Sequence, residues 1–431
     1  MNVICYPSAL NGTVSAIPSK SDAHRKLICT ALSGTGGMLP LFPPFCDDIA
    51  ATVRCLESLG AGFSQSDEGL CVTPITARDR AELDCGESGS TLRFLLPVAS
   101  AICNQVAVTG SGRLPERPIS ALTDAMSAHG VHFGGLKLPF TASGKLEGGK
   151  YEIPGNISSQ FLSGLLMALP LCSVDSEIQL TTALQSSAYV DMTLRTLREF
   201  DAEIKVSTEK SGFPTYRVMH GVLSCPERLT IDGDWSNAAF WLAAGAIQKD
   251  KKASITVKGL SADSTQGDSL IWKILRDTGA DVSHEFDAFT VKTARNYTAD
   301  ISMERIPDLL PILAVRAACT SEIDNWSNFV NAGRLRLKES DRLTATARLL
   351  ESLGIDVREQ PDSLSVHGGQ IHGGIVDGVN DHRIVMAAAI AAISADSPVK
   401  ILGAEAVNKS YPTFFEDYRS LGGKCVFEGN D

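Results

Sequence analysis

The sequence predicts an α/β protein of two similar domains, each built from three copies of one unit. Three observations lead there. A helix-ending phrase recurs six times at nearly even spacing along the chain. The 431 residues are too many for one ordinary core and suit two domains of roughly 200 residues each. Helix bodies are apolar, while charges and hydroxyls gather at their first turns.

The recurring phrase is an amphipathic helix end, then Leu-Gly or a substitute, then an alternating strand, a turn and a second strand. Its copies centre on Leu59-Gly60, His129-Gly130, Phe200-Asp201, Thr278-Gly279, Leu353-Gly354 and Leu421-Gly422, with successive spacings of 70, 71, 78, 75 and 68 residues. A glycine just past a helix takes the left-handed conformation that ends it. Alternating residues such as Asp281-Val282-Ser283-His284 and Asp356-Val357-Arg358-Glu359 suit half-buried strands. Asp287-Ala288-Phe289 and Pro361-Asp362-Ser363 carry turn residues between strands. The seam between the domains is expected near Glu227–Gly233, where a strand should give way to a helix capped by Asp234 or Ser236.

Composition narrows the function classes. Apolar residues at 44% and charged residues at 21% are globular values and exclude disorder as the main state. A net charge of −11 is the wrong balance for non-specific nucleic-acid binding, so an anionic ligand needs a local basic pocket. The eleven cysteines are scattered without a C-x-x-C pair and read as reduced core thiols of a cytoplasmic protein. Met1–Pro7 lacks a basic segment followed by an apolar run, so no signal peptide is expected. Ile384–Ile393 is too short to span a membrane and reads as a buried Ala-rich helix.

Several stretches combine the basic, small and hydroxyl residues that hold phosphate and carboxylate. Ile17-Pro18-Ser19-Lys20-Ser21 leads into a helix, with Lys20 at its mouth and Arg25 one turn beyond Ser21. Gly86-Glu87-Ser88-Gly89-Ser90-Thr91 opens the next such helix, whose body is Phe94–Ala101. Gly110–Pro118 carries two arginines; it lacks the third glycine of a dinucleotide fingerprint, and no P-loop motif occurs anywhere. Ser158-Ser159-Gln160 opens the helix Phe161–Leu171, and Ser186–Asp191 opens another. In the second half, Asp308 is expected to cap an apolar helix. Arg334–Arg342 alternates leucine with basic residues, Asn380-Asp381-His382-Arg383 opens the Ala-rich helix, and Lys409-Ser410-Tyr411-Pro412 precedes the last. Each pattern alone fits a polar helix start as well as a ligand contact. Their recurrence favours helix mouths gathered on one positive pocket. The histidines show no metal-ligand spacing; His129 and His132, the nearest pair, read as structural. No nucleophile elbow is present.

These stretches, taken in order from about Pro7 to Tyr418, resemble the 5-enolpyruvylshikimate-3-phosphate synthase family of enolpyruvyl transferases. The resemblance rests on Pro18-Ser19-Lys20-Ser21…Arg25, Gly89-Ser90…Arg93, Leu114-Pro115-Glu116-Arg117-Pro118-Ile119, Ser158-Ser159-Gln160, Ile306-Pro307-Asp308, Lys338-Glu339-Ser340-Asp341-Arg342, Asn380-Asp381-His382-Arg383 and Lys409-Ser410-Tyr411-Pro412. It implies two similar domains, each of three βαβαββ units with helices inside, joined by a double-crossover hinge. The boundaries it implies are 1–17 plus 232–431 for one domain and 18–231 for the other, with the active site in the cleft and closure on ligand binding.

It also implies transfer of the enolpyruvyl group of phosphoenolpyruvate to the 5-hydroxyl of shikimate 3-phosphate. Lys20, Ser21, Arg25, Ser158, Ser159, Gln160, Ser186, Asp308 and Lys338 would hold shikimate 3-phosphate. Lys20, Gly89, Arg117, Gln160, Arg342, Arg383 and Lys409 would hold phosphoenolpyruvate. Asp308 is the implied base, Glu339 the implied proton donor to C3, and Lys20 and Lys409 complete the implied catalytic set, Lys409 as proton donor to the departing phosphate; His382 either assists or is structural. No metal or organic cofactor is implied, no nucleic acid and no membrane; a monomer is expected. Glyphosate is the family's inhibitor.

Two positions depart from the family pattern. Glu87-Ser88-Gly89-Ser90 stands where many members have Asn-Ala-Gly-Thr, which leaves Glu87 either beside the phosphoenolpyruvate pocket or turned away as a cap. Arg334 stands where an asparagine often contacts the shikimate phosphate. The related UDP-N-acetylglucosamine enolpyruvyl transferases usually carry a cysteine in the loop matching Gly110–Arg117 and Lys-Asn in place of Lys20-Ser21. This chain has neither. A non-catalytic relative would be expected to lose its acid and base residues before its core, yet Asp308, Glu339 and Lys409 are present.

Overall fold

A computed structural model describes residues 1–76, 78–208, 212–320 and 326–428. The chain divides into two compact units, Met1–Ser19 with Asp232–Asp431, and Lys20–Ile231.

In the first unit three four-stranded sheets share one plan. Their strands run, in spatial order, Gly374–Asp377, Val399–Leu402, Asn2–Tyr6, Lys424–Glu428; then Asp281–Glu285, Ala288–Lys292, Ser254–Lys258, Gly12–Ser15; then Asp300–Ser302, Trp326–Val330, Ser363–His367, Val357–Gln360. Each sheet has one parallel and two antiparallel pairings. The N-terminal strands thus complete sheets whose other strands lie far along the chain: Val3 pairs with Ile401 and Val14 with Val257.

The second unit has two sheets on the same plan, Lys150–Ile153, Ser176–Leu180, Pro214–Val218, Ile204–Thr208 and Arg80–Asp84, Gln105–Thr109, Phe140–Ser143, His132–Phe133. Its third sheet, Gly37–Leu39, Gly69–Thr73, Gly62–Ser66, is antiparallel throughout and one strand shorter. Among the described residues these make six small sheets in a mixed α/β fold, consistent with a repeated βαβαββ unit.

The helices fill the interior of each unit. Leu310–Ala318 and His382–Ala392 are buried at every residue, and Trp235–Ala246 at every residue but Ser236. In the second unit Ser159–Ala168 is buried at all but Gln160, and packs on Gly89–Ile102. A helix apolar all round belongs in a core, and strands alternating exposed and buried, such as Arg80–Asp84, cover it. Helix Gly89–Ile102 contains Pro97, which has no N–H to give the Arg93 carbonyl four residues back. It is this carbonyl that Gly164 of the neighbouring helix approaches; a Cβ there would lie 2.1 Å from it.

All six helix-ending phrases take the left-handed turn. Gly60, Gly130, Gly279, Gly354 and Gly422 have φ between +80° and +104°, and Asp201 has φ +61°. Aspartate is among the few non-glycine residues enriched in that region.

Three sequence expectations differ from the structure. Glu227–Gly233 forms no strand; only Gly233 makes a bridge, to Pro18. The backbone there is engaged otherwise: Asp232 O accepts from Ser19 N at 2.8 Å, Asp234 N donates to Ile17 O at 2.8 Å, and Thr230 O accepts from Lys26 Nζ. These bonds also place Pro18 and Ser19 with the first unit, two residues past the boundary expected at 17. Asp308 is not a helix cap. It lies within the one-turn 3-10 helix Pro307–Leu309 ahead of Leu310–Ala318, and its side chain turns to basic residues instead. The expected cap at the seam is Asp234, which accepts from Asn237 N at 2.8 Å.

Candidate active site

Each unit gathers its own set of the residues singled out above. In the second unit Lys20 is the first residue of helix Lys20–Leu32, and its Nζ lies 2.7 Å from Asp48 Oδ2. Asp48 O in turn accepts from Thr91 Oγ1 at 3.3 Å, which brings the mouth of helix Gly89–Ile102 beside Lys20. Ser88 caps that helix, its Oγ accepting from Thr91 N at 3.2 Å. Ser88 therefore holds the cap position, and Glu87 does not. The Glu87 carboxyl packs against Gly112, where a Cβ would meet its carboxyl carbon at 2.4 Å, so it faces the loop Gly110–Arg117.

Arg93 joins three of the motifs. Its Nη1 donates to Gln160 Oε1 at 2.7 Å and its Nη2 to Pro118 O at 3.2 Å, while Gln160 Nε2 donates to Ser90 Oγ at 2.9 Å. Gly89 lies under the Arg117 guanidinium; a Cβ there would sit 2.6 Å from Arg117 Nη1 and 2.9 Å from Arg93 Nη1. Ser158 caps helix Ser159–Ala168, accepting from Gln160 N at 3.3 Å. Ser159 is buried in its first turn. Ser186 stands before helix Ser187–Glu199 with φ +53° and makes no side-chain cap bond.

Arg25 is 1% exposed. Its Nε donates to Thr193 Oγ1 at 2.8 Å, Nη1 to Ser21 O at 2.6 Å and Nη2 to Tyr189 O at 2.9 Å, and the guanidinium lies 4.9 Å from the Phe94 ring centre. Burial lowers its pKa to about 10, although Asp22 and Tyr189 act the other way. Arg25 thus ties Ser21 to the helix that Ser186 opens.

The first unit holds a denser cluster around Arg342, which is 1% exposed. Its Nη1 donates to Asp308 Oδ1 at 2.7 Å and its Nη2 to Glu339 Oε2 at 2.5 Å. Nε reaches Asp381 Oδ2 at 3.0 Å, and Nη2 also reaches Asp381 Oδ1 at 3.2 Å. Burial opposes the Arg342 charge, but Asp381, Glu339 and Asp308 outweigh it and hold its pKa above the usual guanidinium range. Asp308 also lies 3.3 Å from Lys338 Nζ and accepts from Arg383 Nη2 at 3.3 Å. Desolvation lowers the Lys338 pKa, while Asp308 and Glu339 act to raise it.

Asp381 caps helix His382–Ala392 through Arg383 N at 3.0 Å and accepts from Ser340 Oγ at 2.9 Å. His382 Nδ1 lies 4.0 Å from Asp381 Oδ1. Lys409 Nζ donates to Asn380 O at 2.7 Å. Arg334 donates to Glu304 O at 3.5 Å.

The structure therefore brings Asp308, Lys338, Glu339, Arg342 and Arg383 into one network, with Lys409 one peptide bond away from its Asp381 arm. It separately links Lys20 with the mouth of the Gly89 helix, Gly89 with Arg117, Gln160 with Ser90, and Arg25 with Ser21. Four organising residues carried no assigned role in the sequence reading: Asp48, Arg93, Thr193 and Asp381. Only position could have suggested them, since Asp48 opens a helix, and Arg93 and Asp381 sit inside quoted motifs.

The fold is that of an enolpyruvyl transferase. EPSP synthase from Acinetobacter baumannii superposes with a TM-score of 0.79 at 24% identity, covering 99% of this chain and 100% of that one. The enolpyruvyl transferase NikO from Streptomyces tendae does so with a TM-score of 0.77 at 18% identity, covering 99% and 98%. Residues 4–418 match the family EPSP synthase (3-phosphoshikimate 1-carboxyvinyltransferase). The chain is 39% identical over 424 residues to the 3-phosphoshikimate 1-carboxyvinyltransferase of Clostridium kluyveri, covering 97% of this chain and 96% of that relative. It is 38% identical over 427 residues to that of Clostridium acetobutylicum, covering 97% and 96%. The chain belongs to the EPSP synthase family. Its activity is that of a 3-phosphoshikimate 1-carboxyvinyltransferase in the shikimate pathway.

Proposed function

We propose that the two sets of residues act on one pair of substrates, phosphoenolpyruvate and shikimate 3-phosphate, by addition and then elimination. One observation carries this reading. The carboxylates of Asp308 and Glu339 occupy neighbouring nitrogens of the same Arg342 guanidinium, at 2.7 and 2.5 Å. A base and an acid are thereby held at a fixed separation beside fixed positive charge, which addition across an enol double bond requires.

Glu339 gives its proton to C3 of phosphoenolpyruvate, and C2 becomes cationic. The 5-hydroxyl oxygen bonds to C2 while its proton passes to Asp308, giving a tetrahedral intermediate. In the second half the Glu339 carboxylate takes a proton back from C3, the C2–O bond to phosphate breaks, and phosphate leaves with a proton supplied by Lys409. Arg117, Arg342, Arg383 and Lys409 balance the charge of phosphoenolpyruvate, with Gly89 leaving room for Arg117. Arg25, Ser158, Ser159, Ser186 and Lys338 hold shikimate 3-phosphate together with Ser21, and Lys20 and Gln160 touch both ligands. Arg25 acts from its buried place by holding Ser21 and the Ser186 helix.

We expect a monomer working in the cytoplasm, a reducing compartment that suits eleven free thiols, seven of them buried. Among the described residues no helix is long and apolar enough to cross a membrane.

The test is phosphate release from phosphoenolpyruvate with shikimate 3-phosphate, with UDP-N-acetylglucosamine, and with neither. Release with shikimate 3-phosphate alone is expected. Release with the sugar nucleotide alone would overturn the acceptor and keep the chemistry.

A further inference from the structure

We propose that the first unit carries a second ligand site, a cavity at the opposite end of its core helices from the motifs. It takes a small organic anion: an apolar body about the size of one ring, with a carboxylate or phosphate at one end.

The cavity measures about 480 Å³, a volume ordinary for small-molecule sites. Its place is set by three helix ends. Ala246 is the last residue of helix Trp235–Ala246, Cys319 follows helix Leu310–Ala318, and Ser394 stands just beyond helix His382–Ala392; all three line it. The Arg342 network gathers instead at first turns, where Arg383 opens its helix and Asp308 precedes Leu310. The 9 and 11 residues of those two helices, at about 1.5 Å each, put roughly 15 Å between the two places.

The lining divides into a floor and a rim. Ile247 and Ile371 supply a buried apolar floor. Lys249, Lys251 and Arg295 stand exposed around it. Among the described residues that line the cavity there is no Asp or Glu. Positive charge gathered without a carboxylate runs against the balance of a chain whose net charge is −11.

Basic side chains at helix ends ordinarily meet the last carbonyls. Here neutral groups already do so. Thr293 Oγ1 donates to Gly245 O at 3.0 Å, Ser394 Oγ to Ile247 O at 2.7 Å, Asn296 Nδ2 to Arg316 O at 3.2 Å and Gly369 N to Ala318 O at 2.9 Å. Of the three cations Lys249 takes the ordinary role, donating to Ala395 O at 3.0 Å. The Arg295 guanidinium donates to the neutral Tyr297 hydroxyl at 3.0 Å, and Lys251 has no hydrogen bond or ion pair with any described residue. Two cations thus remain for a ligand. The planar fork of Arg295 suits a carboxylate or phosphate, Lys251 adds a point charge, and the floor receives the apolar body.

The experiment titrates the full chain by isothermal calorimetry with benzoate and with phenyl phosphate, and with inorganic phosphate and benzyl alcohol as the separate halves. Saturable binding of at least one whole probe is expected below about 10 mM, with either half binding more weakly. Lys251→Glu combined with Arg295→Glu should weaken that binding about tenfold or more. Ala294→Trp, on the lining, fills the cavity and keeps all three cations, and should weaken it as much. These residues lie outside the catalytic and substrate-binding set, so both variants should keep wild-type kcat and KM without probe, which also shows that they fold. Anion sites elsewhere on the chain are common to all three proteins and drop out of the comparison. Should one variant not fold, the other decides. Absence of saturable binding, inorganic phosphate binding as tightly as the whole probes, or unchanged binding in either folded variant would overturn the proposal.

Discussion

The Asp381 carboxylate holds the Arg342 guanidinium twice, at 3.0 Å to Nε and 3.2 Å to Nη2. Asp381 is fully buried and Arg342 1% exposed, so neither has water to fall back on. Lysine has no planar fork and cannot reach Asp381, Glu339 and Asp308 together. We expect Arg342→Lys to lower kcat/KM for phosphoenolpyruvate about a hundredfold, as loss of one well-placed charged contact does. Leaving buried carboxylates unpaired should also cost roughly 3 kcal/mol of stability, read by urea denaturation. Unchanged kinetics would remove Arg342 from the site.

Asp308 is the proposed base and also a partner of Arg342, Lys338 and Arg383. The two roles make different forecasts. Loss of a base should lower kcat by about 10²–10⁴ with little change in KM. Loss of an anchor should move KM with kcat nearly intact. We expect Asp308→Asn to show the first pattern in steady-state assays, since asparagine keeps the shape and accepts no proton.

The repeat was legible because it rests on local physics. A residue that must turn left-handed after a helix is written as glycine at five of six places, and as aspartate at Asp201. The helix mouths were legible for the same reason, since caps and small residues are local. What escaped lies between distant segments. Asp48 meets Lys20 across 28 residues, and Thr193 meets Arg25 across 168. Asp308 looked like a cap because Pro307 precedes it and an apolar helix follows. Only the fold brings Arg342 and Arg383 to its carboxylate, and a charge with two arginines available does not stay on backbone amides. The strand expected at Glu227–Gly233 failed likewise: Asp232 bonds to Ser19 and the adjoining Asp234 to Ile17, both from the other end of the chain.

Gly89 gives a sharper test of the phosphoenolpyruvate assignment. A methyl group there would press on Arg117 at 2.6 Å and Arg93 at 2.9 Å, both contacts far inside van der Waals range. The guanidinium of Arg117 must move, and Arg93 carries the bond to Gln160. Gly89→Ala should raise KM for phosphoenolpyruvate about tenfold or more, the loss of roughly one charged contact. KM for shikimate 3-phosphate should change less. Equal changes in both would place Arg117 elsewhere.

The close approach of Gly164 to the Arg93 carbonyl makes a prediction about stability alone. The obstacle is backbone, so no side chain can rotate away. Gly164→Ala must push helix Ser159–Ala168 off helix Gly89–Ile102. Overpacking of this kind costs about 1–3 kcal/mol. A lower urea midpoint at unchanged slope is the expected reading; a midpoint equal to wild type would mean the helices have slack that the structure does not show.

His24 makes the second unit sensitive to acid. Its ring is fully buried, with Nδ1 2.8 Å from Thr52 Oγ1, and stands in a T-shaped contact with the Phe94 ring at 6.3 Å between centres. Among the described residues its Nε2 has no hydrogen-bond partner. Burial first, then the charges of Lys20 and Arg25, hold its pKa well below the ordinary histidine value of 6.5. The unfolded chain therefore takes up a proton near pH 6.5 that the folded chain refuses. Stability on this account is full above that value and falls as pH drops below it, by at most about 1.4 kcal/mol per pH unit for one group. Other groups titrate too, so the measurement is the difference between wild type and His24→Gln in urea unfolding from about pH 7 to pH 5. The variant gives up the Thr52 contact and should be less stable at pH 7, yet its slope against pH should be shallower. Parallel slopes would mean that His24 accepts its proton in the folded state after all.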